Sequence, residues 1–186
     1  MAKYTRQGDE MNSSLPDLKT LHLHHPGLTQ VLCAAYAEAA SVCLSRHHVP
    51  PTEFEVYRNK SSTVREVNWT QPDSRTKYAW NNADDATRDG AYAMCLAAVE
   101  IELGLVALYR AETRIGADYY VGTPSTSLEN SYRLEISGVD HGDVTLVNRR
   151  LREKIAQVVK GSSNLPVLAS VVGFLAKVIN IEVVKE

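Results

Sequence analysis

A chain of 186 residues, 44% hydrophobic and 23% charged, has the size and balance of one globular domain with a single substantial core. Its net charge of −2 excludes a protein coated in basic surface, although a local basic strip is enough to meet phosphates. No run of about 18 apolar residues occurs, which excludes a transmembrane helix, and residues 1–14 lack the apolar core of a signal peptide.

Residues 1–18 read as a flexible lead-in and residues 19–186 as one domain. An amphipathic helix is expected over residues 27–46, opened by Pro26 and stopped before Pro50 and Pro51. Its apolar stripe is Leu28, Val31, Leu32, Ala35, Tyr36, Ala39, Val42 and Cys43, at three- and four-residue steps. Residues 53–57 and 63–69 alternate apolar and polar around Asn59, Lys60, Ser61 and Ser62, the pattern of a β-hairpin. Residues 71–83 read as a connecting loop.

Asp84, Asp85 and Asp89 load the start of a long helix, which runs to about Leu103 and ends at Gly104. Between Ala91 and Leu103 it is apolar nearly all round, so it should be central. Three strands are expected at residues 105–111, 117–121 and 132–139. A second amphipathic helix follows, capped by Asp143, with Val144, Val147, Leu151, Ile155 and Val158 on one face and Gly161 as its stop. Residues 165–184, rich in valine and isoleucine, form one or two closing strands. Cys33, Cys43 and Cys95 fall in apolar helical contexts, which favours buried thiols in a reducing compartment, so the cytoplasm is the expected location.

Two segments carry chemistry. Asp118 opens a strand in Gly116-Ala117-Asp118-Tyr119-Tyr120-Val121, and Glu135 lies mid-strand in Arg133-Leu134-Glu135-Ile136-Ser137-Gly138. With the order helix, three strands, helix, strand, these segments resemble the core of the PD-(D/E)XK nuclease-like superfamily. The resemblance covers residues 84–186 and implies an α/β restriction-endonuclease-like core. Residues 19–83 then form an N-terminal helix and β-hairpin extension. It further implies Asp118 and Glu135 as ligands of Mg2+ or Mn2+, and Glu100 as a third acidic group presented by the preceding helix, the alternative being that Glu100 or Glu102 reaches solvent at the fraying helix end. The implied reaction is hydrolysis of phosphodiester bonds in DNA, with RNA as the alternative, in a setting of bacterial defence or DNA processing.

Paired strands lie about 5 Å apart, so carboxylates on neighbouring strands reach one ion if they share a face. Magnesium takes hard oxygen ligands and keeps several waters, so one or two carboxylates are enough. Glu135 and Ser137 share a face, while Leu134 and Ile136 point into the core.

Ser137 stands where the resemblance implies a lysine, and it supplies no charge. Arg149, Arg150 and Lys154 on the following helix, or Arg110 on the first strand, are the candidate replacements, with Arg150 and Ser137 counted among the catalytic group. Glu112, at the end of the first strand, is either a site residue or half of a surface ion pair. The alternative to catalysis is an inactive binding or accessory subunit on the same scaffold. The expected partners are nucleic acid and either a second copy or another protein of such a complex, with no membrane. An unrelated ligand-binding α/β protein is the third reading. The runs His22-Leu23-His24-His25 and His47-His48 show no spacing that would supply further metal ligands, and read as surface or capping groups. No nucleophile elbow, phosphate loop or dinucleotide fingerprint is present.

Overall fold

The computed structural model describes residues 13–112, 115–160 and 163–184. Its α-helices and strands are α1 (Gln30–His47), β1 (Thr52–Arg58), β2 (Ser61–Val67), α2 (Ser74–Ala79), α3 (Ala83–Leu103), β3 (Val106–Arg110), β4 (Tyr119–Gly122), β5 (Tyr132–Val139), α4 (Val144–Val159), β6 (Val167–Gly173) and β7 (Val178–Val184). The strands form one mixed sheet in the order β2-β1-β7-β6-β5-β4-β3. β1 runs parallel to β7 and β5 parallel to β6; the other neighbours are antiparallel.

Strand alternation divides the core between the two faces of the sheet. Leu134, Ile136, Leu168, Val172, Ile179 and Ile181 join one cluster with α1 and α3. Val139, Ala169, Val171 and Val178 join a smaller one with Val147 and Leu151 of α4. The helices are fixed locally by their caps. The side chains of Thr29, Asn82 and Asp143 each accept a backbone N–H in the first turn of α1, α3 and α4. Gly104 ends α3 in the left-handed region at φ 66°. Gly90 lets α1 and α3 touch, since a Cβ there would stand 2.9 Å from the Ala40 amide nitrogen.

Several sequence expectations need correction. Residues 71–83 are not all loop, because Asp73 caps the short α2 by accepting from the Thr76 N–H. The described part of the expected lead-in, residues 13–18, is packed. Its backbone exchanges hydrogen bonds with Glu66 of β2, and Leu15 and Leu18 are buried. The α1 stripe is buried at Leu28, Tyr36, Ala39, Val42 and Cys43, but it fails at Val31 and the covered face is wider than expected. Val31 is 80% exposed, whereas Cys33, Ala37 and Ala40 are buried, because α3 and the segment before α1 cover the helix from more directions than the stripe implies. The closing region is two antiparallel strands. The expected stop at Gly161 lies outside the described residues.

Candidate functional site

Asp118 falls one residue before β4, just past the end of its ladder, and its N–H donates to the Leu134 carbonyl at 2.8 Å. There the carboxylate is held between α3 and β5. Oδ1 accepts from the Tyr92 hydroxyl of α3 at 2.7 Å, and Oδ2 accepts from the Ile136 N–H of β5 at 2.8 Å. Because Asp118 bonds the N–H of the residue after Glu135, the two acidic groups are neighbours, and Asp118 acts on the Glu135 carboxyl.

Glu135 points to the α4 face and is 5% exposed. Lys154 Nζ donates to Glu135 Oε1 at 2.6 Å, and Gln157 Nε2, one turn further along α4, donates to the same oxygen at 3.2 Å. Burial first, and the Asp118 charge second, push the Glu135 carboxyl above its ordinary range; Lys154 opposes both. On the Asp118 side, the Arg110 guanidinium lies over the Tyr92 and Tyr119 rings at 4.6 and 4.7 Å. It donates to the Tyr92 hydroxyl at 3.0 Å, and the same guanidinium group approaches Asp118 Oδ1 at 3.8 Å. Two carboxylates thus sit between a lysine and a half-exposed arginine at one end of the sheet.

No family model, curated protein or solved structure matches this chain.

Ser137 follows Glu135 on the same strand face, but the cation at Glu135 comes from Lys154. Arg150 precedes Lys154 by one helical turn and lies 3.7 Å from Glu153, so it is not drawn to the acidic pair. Glu100 is not brought to the pair either. Its two oxygens hold His24 Nδ1 at 2.9 Å and the buried His25 Nε2 at 3.0 Å. His25 Nδ1 in turn accepts from the Ala107 N–H near the start of β3, whereas Asp118 lies beside Ala111 beyond its other end. Glu102 does not reach solvent, because Arg65 and Thr63 of β2 bind it at 2.7 and 2.8 Å. Glu112 accepts from the Tyr120 hydroxyl at 3.3 Å.

The thiols are buried, and desolvation pushes those of Cys43 and Cys95 up to about 12. Tyr92 and Gln157 were not anticipated, since neither has a local motif; they are selected only by helix packing onto the sheet end. His47, at the helix end where the sequence implies a surface or capping group, meets Asp140 from 93 positions away and His141 beside it. A separate cleft of about 1020 Å3 lies between α1 and the β2–α2 connection, lined by Lys19, Glu38, Ser41, Trp69 and Thr76 among others, and includes neither acidic residue. No helix among the described residues is long and apolar enough to cross a membrane.

Proposed function

We propose that the chain is a metal-dependent phosphodiesterase of the nuclease type, acting on DNA, with Asp118 and Glu135 as ligands for Mg2+ or Mn2+. The observation that carries this reading is the Lys154 ammonium on Glu135 at 2.6 Å, a cation at the acidic pair despite Ser137. The order α3, β3, β4, β5, α4, β6 also agrees with the nuclease-like core that the sequence resembles.

The donor set suits a hard divalent ion. Two adjoining carboxylates repel one another, and Glu135 is held where its charge is disfavoured, so a cation between them relieves both penalties. When bound, such an ion polarises a phosphate oxygen and makes a bound water a stronger nucleophile. The chain's own residues do the rest. Tyr92 and the Ile136 N–H fix the orientation of Asp118. Lys154, steadied by the Gln157 side-chain carbonyl at 3.2 Å, orients a water beside Glu135 and offsets developing negative charge. Arg110, half exposed and stacked on two tyrosines, meets the phosphate.

The test is cleavage of plasmid and single-stranded DNA in Mg2+ or Mn2+, native protein against Asp118→Ala. Metal-dependent cutting that is lost in the variant supports the reading. If neither protein cuts while both bind DNA, the fold serves as a binding subunit and the catalytic reading is refuted.

A further inference from the structure

Just past the C-terminal end of β5, away from the acidic pair, three ligand-type side chains meet. His47 is the last residue of α1, and Asp140 and His141 follow β5 in the turn that leads to α4. Asp140 Oδ1 lies 2.9 Å from His47 Nε2, and Oδ2 lies 3.2 Å from His141 Nδ1. One ligand atom from each of the three falls within 4.8 Å of the others. The two imidazoles stand edge to face, with centroids 4.7 Å apart. A tetrahedral zinc ion with bonds of about 2.0–2.1 Å spaces its ligand atoms about 3.3 Å apart; both His–Asp contacts are already near that spacing, and side-chain rotation within the 4.8 Å cluster would bring one atom of each residue onto the ion.

We propose that His47, Asp140 and His141 form a second metal site, for a nitrogen-preferring first-row ion with zinc foremost, that clamps the end of α1 to the β5–α4 turn. The chemistry differs from that of the acidic pair. Two imidazoles and one carboxylate select zinc, cobalt or nickel over magnesium, which prefers an all-oxygen shell. Arg46 donates to Asp140 Oδ2 at 2.8 Å and so orients the carboxylate from outside, as hydrogen-bond partners of metal-bound carboxylates do. Arg46 also adds positive charge, which weakens any cation here. Against that, the His141 side chain is 72% exposed, so water screens the site and can fill the fourth position. His48 is not a ligand candidate through Nε2, which bonds the Phe174 carbonyl at 2.8 Å.

Glu135 lies within β5 and Asp140 directly after its end, five residues on, or about 16 Å for an extended chain, so each site can be probed separately. The experiment uses the full chain without a histidine tag, freed of metal by chelation and titrated with Zn2+ calorimetrically. Co2+ absorption in the visible range reports the geometry. One equivalent of zinc is expected, with a tetrahedral Co2+ spectrum and a rise in the unfolding midpoint. His141→Ala, which removes an exposed side chain and leaves the core intact, should weaken zinc at least tenfold. Asp118→Ala should leave zinc binding unchanged, and excess Mg2+ should not displace it. The proposal is overturned if zinc does not bind, if His141→Ala binds it as tightly as the native chain, or if Asp118→Ala abolishes it. That last result would put the ion at the acidic pair.

Discussion

Replacing Lys154 with alanine separates the two jobs assigned to its ammonium group. At 2.6 Å from Glu135 Oε1, a full charge pair attracts by about 6 kcal/mol at an effective dielectric of about 20. Desolvation of Glu135, 6% exposed, and of Lys154, 20% exposed, cancels much of that. A second bound comes from proton uptake. An ordinary carboxyl group can be neutralised at pH 7 for about 3.5 kcal/mol, and Glu135, already raised by burial, for less. Alanine is the best helix former, so α4 itself loses nothing. Lys154→Ala should therefore destabilise the fold by about 1–3 kcal/mol near pH 7. The loss should shrink as pH falls, because the unpaired Glu135 then takes up a proton. Urea denaturation at two pH values reads this directly. In DNA cleavage with Mg2+, removal of the same cation should lower the rate about 10²–10³-fold. Adding Ser137→Lys to Lys154→Ala, which returns a cation to the face of β5 that carries Glu135, should restore part of that rate. Cleavage at the native rate by Lys154→Ala refutes the catalytic role, and a stability loss that does not change with pH refutes the electrostatic one.

Gly90→Ala should destabilise the chain, although helix propensity alone favours it by about 1 kcal/mol. The added Cβ meets Ala40 backbone atoms at 2.9 and 3.0 Å, and overpacking of this kind costs about 1–3 kcal/mol; a higher urea midpoint would contradict the contact. Glu100→Gln should cost about 1–2 kcal/mol, because His24 and His25 both lean on the carboxylate, while Mg2+-dependent cleavage stays intact. Loss of cleavage without loss of stability would return Glu100 to the metal site.

Where side-chain period and end signals agree, the sequence is readable. α3 ends at the glycine expected, and β5 has the bounds expected, because Leu134 and Ile136 alternate with Glu135 and Ser137. α1 is less readable because its many alanines pack on any side. Its burial is set by α3 and by the segment before the helix, neither of which appears in its own periodicity. α2 is only six residues long, and its Asp73 cap is a weak sign without an apolar run behind it. At the candidate site, Asp118 and Glu135 are named by the family resemblance, and Lys154 stands among four candidate cations, three on α4 and Arg110 on β3, that the sequence alone does not rank. The choice among those cations depends on how α4 lies across β5, which is tertiary information. For the same reason Glu100 could be assigned to the end of α3 but not to His24 and His25.

Asp118→Asn tests whether the instability of the acidic pair and its affinity for an ion have one origin. Asp118 and Glu135 bring two negative charges to one place, with Lys154 as the cation on Glu135. Burial first and Asp118 second raise the Glu135 pKa, so the folded chain holds that proton more tightly than the unfolded chain does. Stability must then fall as pH rises from the ordinary carboxylate range through the raised value, and the loss is complete above it. The asparagine keeps the shape, its oxygen can still accept from the Ile136 N–H, its amide donates to the Tyr92 hydroxyl in place of the bond that Oδ1 accepted, and the repulsion is gone. In chelator near pH 8 the variant should equal or exceed the native chain in urea midpoint, with no advantage near pH 4. In Mg2+ at about 100 times its dissociation constant the native chain should gain about 2.7 kcal/mol and the variant much less, which reverses the order. If the variant is weaker in chelator, or gains as much from Mg2+ as the native chain, the charge that strains the fold is not the charge that holds the ion.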